Sequence, residues 1–233
     1  MNIGLFGYGK MGKMIEHIAQ ERGHTIIAKI DASTENIDFK SMDVAIDFST
    51  PDAAFENITN CFKNGVPVIS GTTGWLSNYV DAVELCQKHD GGFIYASNFS
   101  LGVNIFFELN THLARMMAGL EQYKVSMEEI HHTQKLDAPS GTAITLAEGI
   151  IQNSSYENWK LHETADKAIT INSIREGMVP GTHSISYESA VDKIEIKHVA
   201  HNREGFALGA VIAAEWIQGK TGVFTMKDVL NLS

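Results

Sequence analysis

The chain has 233 residues, 44% apolar and 20% charged, a composition that can bury one large core or two modest ones without disulfides or structural metals. Eighteen Lys and Arg against 28 Asp and Glu leave a formal charge of -10, which disfavours broad binding to nucleic acid or to an anionic membrane surface. No run of 18 apolar residues occurs, the N-terminus shows neither a basic region nor a cleavage site, and Cys61 and Cys86 fit no disulfide framework or zinc spacing, so a cytoplasmic protein with two buried thiols is expected.

"NIGLF", residues 2 to 6, reads as a strand; "GYGKMG" follows at once, and then a helical pattern runs to about Arg22, where Gly23 ends it. A second strand, "TIIAKI", leads to Asp31, and a third, "DVAIDF", precedes a helix that starts near Pro51 and Asp52. "VPVI" and "GFIYA" are further short strands, separated by a helical stretch after Trp75. Apolar strands alternating with helices predict an open, mostly parallel sheet covered on both faces.

From about Leu101 a long helix leads into "YKVSMEEI", "AITINSIR", "HSISYES" and "DKIEIKHVA", several of which alternate apolar and polar residues. Alternation predicts antiparallel strands with one wetter face. The helix "FALGAVIAAEWI", closed by Gly219, is expected to pack back on the first domain. The fold class is therefore α/β, with a Rossmann-like parallel-sheet domain over residues 1–98, joined by a C-terminal helix and tail over 205–233. A second α+β domain over residues 99–204 carries a mixed, largely antiparallel sheet.

Gly7, Gly9 and Gly12 form G-x-G-x-x-G between a strand and a helix, with Tyr8, Lys10 and Met11 in the intervening places. Asp31 follows Gly12 by nineteen residues, at the end of the next strand. Such glycines let backbone approach a pyrophosphate, free N–H groups at the helix start stabilise its charge, and the acid accepts hydrogen bonds from ribose hydroxyls. The alternative role for Asp31 is a loop or capping carboxylate. Ala32 follows it, with no arginine to hold a 2′-phosphate, which favours NADH over NADPH, although Lys29 is a cation close by in sequence. "GTTG" (residues 71 to 74) and "SNFS" (97 to 100) follow later strands, at the sheet edge where open α/β folds bind ligands.

The window "EEIHHTQKLDAPSGTA", residues 128 to 143, gathers two histidines, a lysine and a glycine-bearing turn. On a strand, His131 shares a face with Val125 and Met127, and His132 faces the other way. Ala143, Leu146, Ala147 and Ile150 then recur at helical spacing, so a helix starts near Ser140. The N–H groups of Ser140, Gly141 and Thr142 at its head suit a carboxylate or phosphate, Lys135 adds a point charge, and a histidine exchanges a proton near neutral pH. Neither H-E-x-x-H nor a cysteine cluster accompanies the histidines, so no metal is expected.

His131-His132-x-x-Lys135-x-Asp137-Ala138-Pro139-Ser140-Gly141-Thr142-Ala143, behind a glycine-turn domain with "GTTG" and "SNFSLGVN", closely resembles the dihydrodipicolinate reductase family. The likeness runs through "REG" at 175 to 177, "GTH" at 181 to 183 and the ending "TGVFTMKDVLNL". It implies a nicotinamide-dependent reductase, using NADH or NADPH, of a small cyclic dicarboxylic imine, 4-hydroxy-tetrahydrodipicolinate, which loses its hydroxyl as water. That reaction belongs to lysine and diaminopimelate synthesis.

The resemblance makes His131 and Lys135 the proton-transfer residues and His132, Ser140, Gly141 and Thr142 the substrate-binding ones. It assigns cofactor contacts to Gly7, Tyr8, Gly9, Lys10, Met11, Gly12, Asp31, Gly71, Thr72, Thr73, Ala96, Ser97, Asn98 and Phe99, and implies a homotetramer joined through the second domains. The chain departs from many members in having Gln134 where they carry a third histidine, and Ala32 where they carry an arginine. The competing reading is a dinucleotide-binding sensor that has kept the fold without turnover.

Overall fold

The computed structural model describes residues 1–31, 33–34 and 36–232, which form two compact units: Met1–Leu101 with Glu204–Ser233, and Gly102–Arg203. The first unit holds six parallel strands: β1 (Asn2–Phe6), β2 (Thr25–Ile30), β3 (Val44–Asp47), β4 (Val68–Ser70), β5 (Gly92–Tyr95) and β11 (Gly222–Phe224). Their spatial order is β2-β1-β3-β4-β5-β11, so the order reverses between β1 and β3. In open parallel sheets that switch point is where the strand ends splay and leave room for a ligand.

Short apolar runs become strands here because helices bury both of their faces. Ile3, Leu5, Val44, Ile46, Ile69 and Ile94 turn to a core shared with Ile15 and Ile18 of α1 (Lys10–Glu21) and with α6 (Glu204–Ile217). Phe6, Ala45, Val68 and Phe93 turn the other way, against Ile58 and Phe62 of α2 (Pro51–Lys63) and Ala82 and Cys86 of α3 (Tyr79–Lys88). Helix α6 is apolar nearly all round and built from small residues, Ala207, Gly209, Ala210, Ala213 and Ala214, which lets it lie close to its neighbours. A Cβ on Gly209 would stand 1.8 Å from the carbonyl oxygen of Phe99.

The tail after that helix is structured: β11 adds a sixth strand beside β5, and α7 (Met226–Leu230) follows with a capping box between Thr225 and Asp228. At three residues, all only partly buried, β11 lacks the fully buried apolar run that marks β4 in the sequence.

The second unit begins with α4 (Leu101–Met117, of which Leu101 belongs to the first unit). Its sheet contains β6 (Lys124–His131), β7 (Asn158–Leu161), β8 (Ala168–Arg175), β9 (Gly181–Glu188) and β10 (Lys193–Ala200), in the order β10-β9-β6-β8-β7, with α5 (Gly141–Ile151) between β6 and β7 in sequence. Strand alternation suggested a largely antiparallel sheet. The pairs β10·β9 and β9·β6 are antiparallel, whereas β6·β8 and β8·β7 are parallel, because helical or looped crossovers return the chain in the same direction. The inner face packs Val125, Met127, Ile169, Ile171 and Ile185 against Leu146, Ala147 and Ile150 of α5. Among the described residues no helix is long and apolar enough to cross a membrane.

The Gly209 contact is a test of how tightly α6 is held. Gly209→Ala should lower Tm by roughly 3–10 °C, the effect of ~1–3 kcal/mol of overpacking in a chain of this size. An unchanged Tm in a thermal melt would show that the helix can draw back.

Candidate active site

In the first unit the strand ladder runs on past the strand ends. The N–H groups of Gly7, Phe48, Gly71 and Ala96 donate to Ile30, Phe6, Asp47 and Ser70 carbonyls at 2.8, 2.8, 2.9 and 3.2 Å. The glycine turn, "GTTG" and the segment from Ala96 therefore all leave the same edge of one sheet, at the switch point and beside it.

The three glycines of the turn do different work. Gly7 has φ of +90°, and a Cβ there would lie 2.1 Å from the Phe48 carbonyl oxygen; a Cβ on Gly12 would lie 2.4 Å from the Gly7 carbonyl. Those two are demanded by the protein's own backbone. Gly9 has no atom within 4 Å of an added Cβ, so its missing side chain leaves space that the protein does not fill. Gly9 also caps α1 without any side-chain hydrogen bond, which leaves the first N–H groups of that helix to a ligand. An open, uncapped helix start preceded by a close-packed turn fits a dinucleotide pyrophosphate.

Asp31 stands just past β2, and its carboxylate accepts from the Ser33 N–H at 2.9 Å and the Ser33 and Thr34 hydroxyls at 2.7 and 3.2 Å. These bonds hold its proton affinity below the ordinary value and keep it ionised, as an acceptor for ribose hydroxyls must be. Ala32, whose side chain bears on the 2′-phosphate question, lies outside the described residues. Lys29 is engaged: its Nζ lies 2.8 Å from Glu16 Oε1, donates to the Tyr8 hydroxyl at 3.0 Å, and sits 4.5 Å from the Tyr8 ring centre.

Two expected cofactor residues use their side chains inside the protein. The Thr72 hydroxyl donates to Asp47 at 2.7 Å and accepts from the Ser49 N–H at 2.9 Å; Phe99 is 1% exposed and packs in the core. Only the backbone of either residue remains to meet a ligand. Asp47 is itself fully buried at the end of β3, with Ser49, Ser70, Thr72 and Asn57 all donating to it. Burial raises its proton affinity against those hydrogen bonds. Gly71 is needed because a Cβ there would enter the Phe48 ring at 2.3 Å. Thr73 and Ser97 are exposed, and Ala96 and Asn98 half-buried.

In the second unit β6 ends at His131, and the segment from His132 to Ser140 leads to α5. Ser140 caps α5 by accepting from the Ala143 N–H at 3.2 Å, which leaves the N–H groups of Gly141 and Thr142 at the helix head. A Cβ on Gly141 would meet nothing within 4 Å, the same open space found at Gly9. Lys135 pairs with Asp137 at 2.8 Å, and its N–H donates to the His132 carbonyl at 3.1 Å. His131, the last residue of β6, is buried on the inner face with Val125, Met127 and Glu129, and His132, just past the strand end, is half-buried.

Three residues that the sequence reading did not single out organise this segment. Glu129 shares the buried face of β6 with His131 and is fully buried. Both its oxygens accept from the Ser140 N–H at 3.1 Å, and Oε1 accepts from the Ser173 hydroxyl at 2.7 Å. Arg175, 3.5 Å from Oε1, also donates to the carbonyls of Lys135 and Asp137 at 3.3 and 2.5 Å. His183, opposite Glu129 in the β6·β9 register, places Nε2 3.6 Å from Oε2 and 3.2 Å from the Ser140 hydroxyl. For Glu129 the signal was alternation: Val125, Met127 and His131 on one face put Glu129 there too, and a carboxylate in that row must be buried and partnered; Arg175 and His183 stand in the "REG" and "GTH" of the family likeness.

Burial opposes ionisation of Glu129, but His183 close by and hydrogen bonds from Ser140 and Ser173 outweigh it and hold the carboxylate well below its usual range. For His131 burial wins: despite the Glu129 charge, desolvation together with His183, Lys135 and Arg175 depresses its pKa to about 4. The ring is neutral at neutral pH. Glu129, His131 and His183 bring potential ligand atoms within 4.8 Å of one another, a grouping of metal-binding residue types that the sequence spacing did not reveal. The guanidinium of Arg175 beside Glu129, and carboxylate oxygens already accepting from Ser140 and Ser173, suit a hydrogen-bonded network better than a dication.

Fold and site together give an α/β unit of the dinucleotide-binding type, followed by a second unit in which an open helix head at Gly141 stands close in sequence to His131, His132 and Lys135. Residues 1–99 and 102–230 match the two parts of one family description, "Dihydrodipicolinate reductase, N-terminus" and "Dihydrodipicolinate reductase, C-terminus". A 4-hydroxy-tetrahydrodipicolinate reductase of Christiangramia forsetii is 61% identical, over 99% of this chain and 98% of that protein. The enzyme of the same name from Thermosipho africanus is 35% identical, again over 99% and 98%. A dipicolinate-bound dihydrodipicolinate reductase structure from Paenisporosarcina sp. TG-14 shares the fold, with TM-score 0.78, 23% identity and 97% of each chain covered. This chain belongs to the dihydrodipicolinate reductase family.

The contrast among the glycines separates binding from folding. Gly9→Ala should weaken NADH about tenfold or more, measured by fluorescence titration, while changing stability by no more than about 1 kcal/mol. Gly12→Ala should lower Tm as well. A Gly9→Ala protein with undiminished NADH affinity would rule out a pyrophosphate at the turn.

Proposed function

We propose that the chain catalyses the NAD(P)H-dependent reduction of 4-hydroxy-tetrahydrodipicolinate to tetrahydrodipicolinate, with loss of water. The 61% identity to the Christiangramia forsetii enzyme across nearly the whole chain supports the substrate. The structural observation that carries the reading is the head of α5. Gly141 and Thr142 offer unobstructed N–H groups on the same segment as His131 and Lys135, so a carboxylate receptor and proton-carrying groups come from one loop.

A bound nicotinamide supplies the hydride for carbon 4 of the substrate ring. The pyrophosphate would be held by the turn from Gly7 to Gly12, with Tyr8, Lys10 and Met11, and the ribose by Asp31. The segments at Gly71, Thr72 and Thr73 and at Ala96, Ser97, Asn98 and Phe99 complete that edge, the buried residues through backbone. In the second unit Ser140, Gly141 and Thr142 hold a substrate carboxylate at the positive end of α5, with His132 at the start of the loop that leads to them. Lys135 exchanges its ion pair with Asp137 for one with the dianionic substrate and delivers a proton, and the neutral His131 ring suits proton acceptance and return.

The engagement of Lys29 by Glu16 and Tyr8 supports NADH over NADPH, since a cation already paired is a poor receptor for a 2′-phosphate. A homotetramer joined through the second units agrees with apolar Ile174, Ile194 and Val199, which are 38%, 39% and 46% exposed on β8 and β10. Light scattering on the purified chain measures that assembly.

Freshly generated substrate should cause rapid loss of NADH absorbance, with a higher kcat/KM for NADH than for NADPH. No oxidation of either, by protein shown to bind one of them, would refute the reductase. Glu16→Gln should release Lys29 and raise the NADPH to NADH ratio about fivefold, the effect of ~1 kcal/mol between charges in a water-like environment; a constant ratio would remove Lys29 from cofactor choice. Lys135→Met should raise KM and lower kcat together, and a change in KM alone would mean that Lys135 only binds.

A further inference from the structure

The carboxylate of Glu129 has no part in the proposed reduction, yet it bonds the Ser140 N–H at one end of the loop and lies 3.6 Å from His131 at the other. A fully buried carboxylate is costly unless each oxygen is partnered, so its retention beside the proton-transfer ring asks for a role. Its partners come from four places: Ser140 at the head of α5, Ser173 and Arg175 on β8, His183 on β9 and His131 two positions along β6.

The two rings flank a single oxygen. His131 Nδ1 and His183 Nε2 each lie 3.6 Å from Glu129 Oε2, and the ring centres are 5.1 Å apart at 72°. His131 is 7% exposed, and its Nδ1 is buried without a hydrogen-bond partner. A shift of a few tenths of an ångström would bring Nδ1 within bonding distance of Oε2, and such bonds tighten when a site is loaded. The opposite edge of the ring, carrying Nε2, runs along Gly181, where a Cβ would come to 3.2 Å. The charged oxygen lies on the Nδ1 side.

We propose that Glu129 is the positioning residue for His131. Its carboxylate holds the ring in the tautomer with the proton on Nδ1, leaving the Nε2 lone pair to exchange a proton, and through the Ser140 N–H it ties that ring to the helix head that receives the substrate carboxylate. The function assigned to His131 rests on the proposed reductase reading; the tautomer does not. Because the ring is neutral at neutral pH, it has a tautomer there to be fixed. Arg175 balances the buried charge and pins the loop carbonyls of Lys135 and Asp137, so the loop and the ring are registered against the same carboxylate.

Two measurements test this. Long-range proton–nitrogen NMR of the histidines at neutral pH, with His131 assigned by comparison with His131→Asn, should show Nδ1 protonated in the wild-type protein. An Nε2-protonated ring would overturn the proposal. Glu129→Gln keeps the shape and an acceptor for Ser140 but places an amide donor near Nδ1, so it should move the proton to Nε2. It should also lower kcat by roughly 10²-fold, the usual scale of acid–base assistance, with NADH affinity unchanged.

The acid limb of its pH profile should move to lower pH, because the carboxylate that favours the charged ring is gone while His183, Lys135 and Arg175, which oppose it, remain. Wild-type turnover and tautomer in Glu129→Gln would overturn the proposal, as would lost turnover with tautomer and acid limb unmoved, since that is the mark of a merely structural role. Should Glu129→Gln fail to fold, the wild-type tautomer decides. Absence of imine reduction by the wild-type protein would refute the reductase reading while leaving the tautomer to decide for or against Glu129.

Discussion

A carboxylate buried where water cannot reach it must be satisfied by the protein, and in the second unit Glu129 imposes that condition on everything near it. An ionised group left unpaired in such a place would cost several kcal/mol, so the chain supplies a backbone N–H from Ser140, a hydroxyl from Ser173 and a guanidinium from Arg175. Meeting the condition fixes geometry. Ser140 can donate only if the loop from His132 closes back on β6, and closing it there sets the direction in which α5 starts. The helix head, the lysine loop and the histidine at the strand end are placed together by one electrostatic requirement.

The first unit solves a similar problem by steric means. Gly7, Gly12 and Gly71 are glycines because main chain or an aromatic ring occupies the space a Cβ would need, whereas Gly9 faces nothing. Close packing behind a turn and emptiness in front of it are the two halves of a receptor for a charged backbone-hugging group. Asp47 braces the neighbouring strand ends from beneath, and in doing so draws the Thr72 hydroxyl away from the edge. Its role is to hold loops in register, much as Glu129 does in the other unit.

Much of this was legible in the sequence. The parallel strands were visible as apolar runs because burial on both faces removes polar positions, and the start of α5 was visible because a cap, a glycine and a helical apolar repeat fall in order at Ser140, Gly141 and Ala143. The strands β7 and β11 were not, since each is short and only partly buried and so lacks the fully buried apolar run that marked β3, β4 and β5, and neither were the parallel pairings of β8, which depend on chain crossovers and not on residue type. Residues that act through contact partners were the least legible. Glu129 looks like any acidic residue in "MEEIHH" until β9 and β8 bring His183, Ser173 and Arg175 to it. Thr72 and Phe99 carry the opposite lesson: their positions in loops suggested ligand contact, and their side chains are taken up by Asp47 and the core.

The discontinuous first unit has a consequence for the order in which the molecule comes into being on the ribosome. Residues 102–203 contain the whole of their own sheet, so that unit can close as soon as it has emerged. The sheet begun by residues 2–95 cannot: one of its faces waits for α6 and one edge, at β5, for β11. During synthesis of the middle hundred or so residues, an apolar sheet face and an unpaired parallel edge stay open, the kind of surface on which nascent chains associate. The 29 described residues from Glu204 onward are therefore the ones that turn a half-finished sheet into a closed structure, and until they arrive the first unit is at its most exposed.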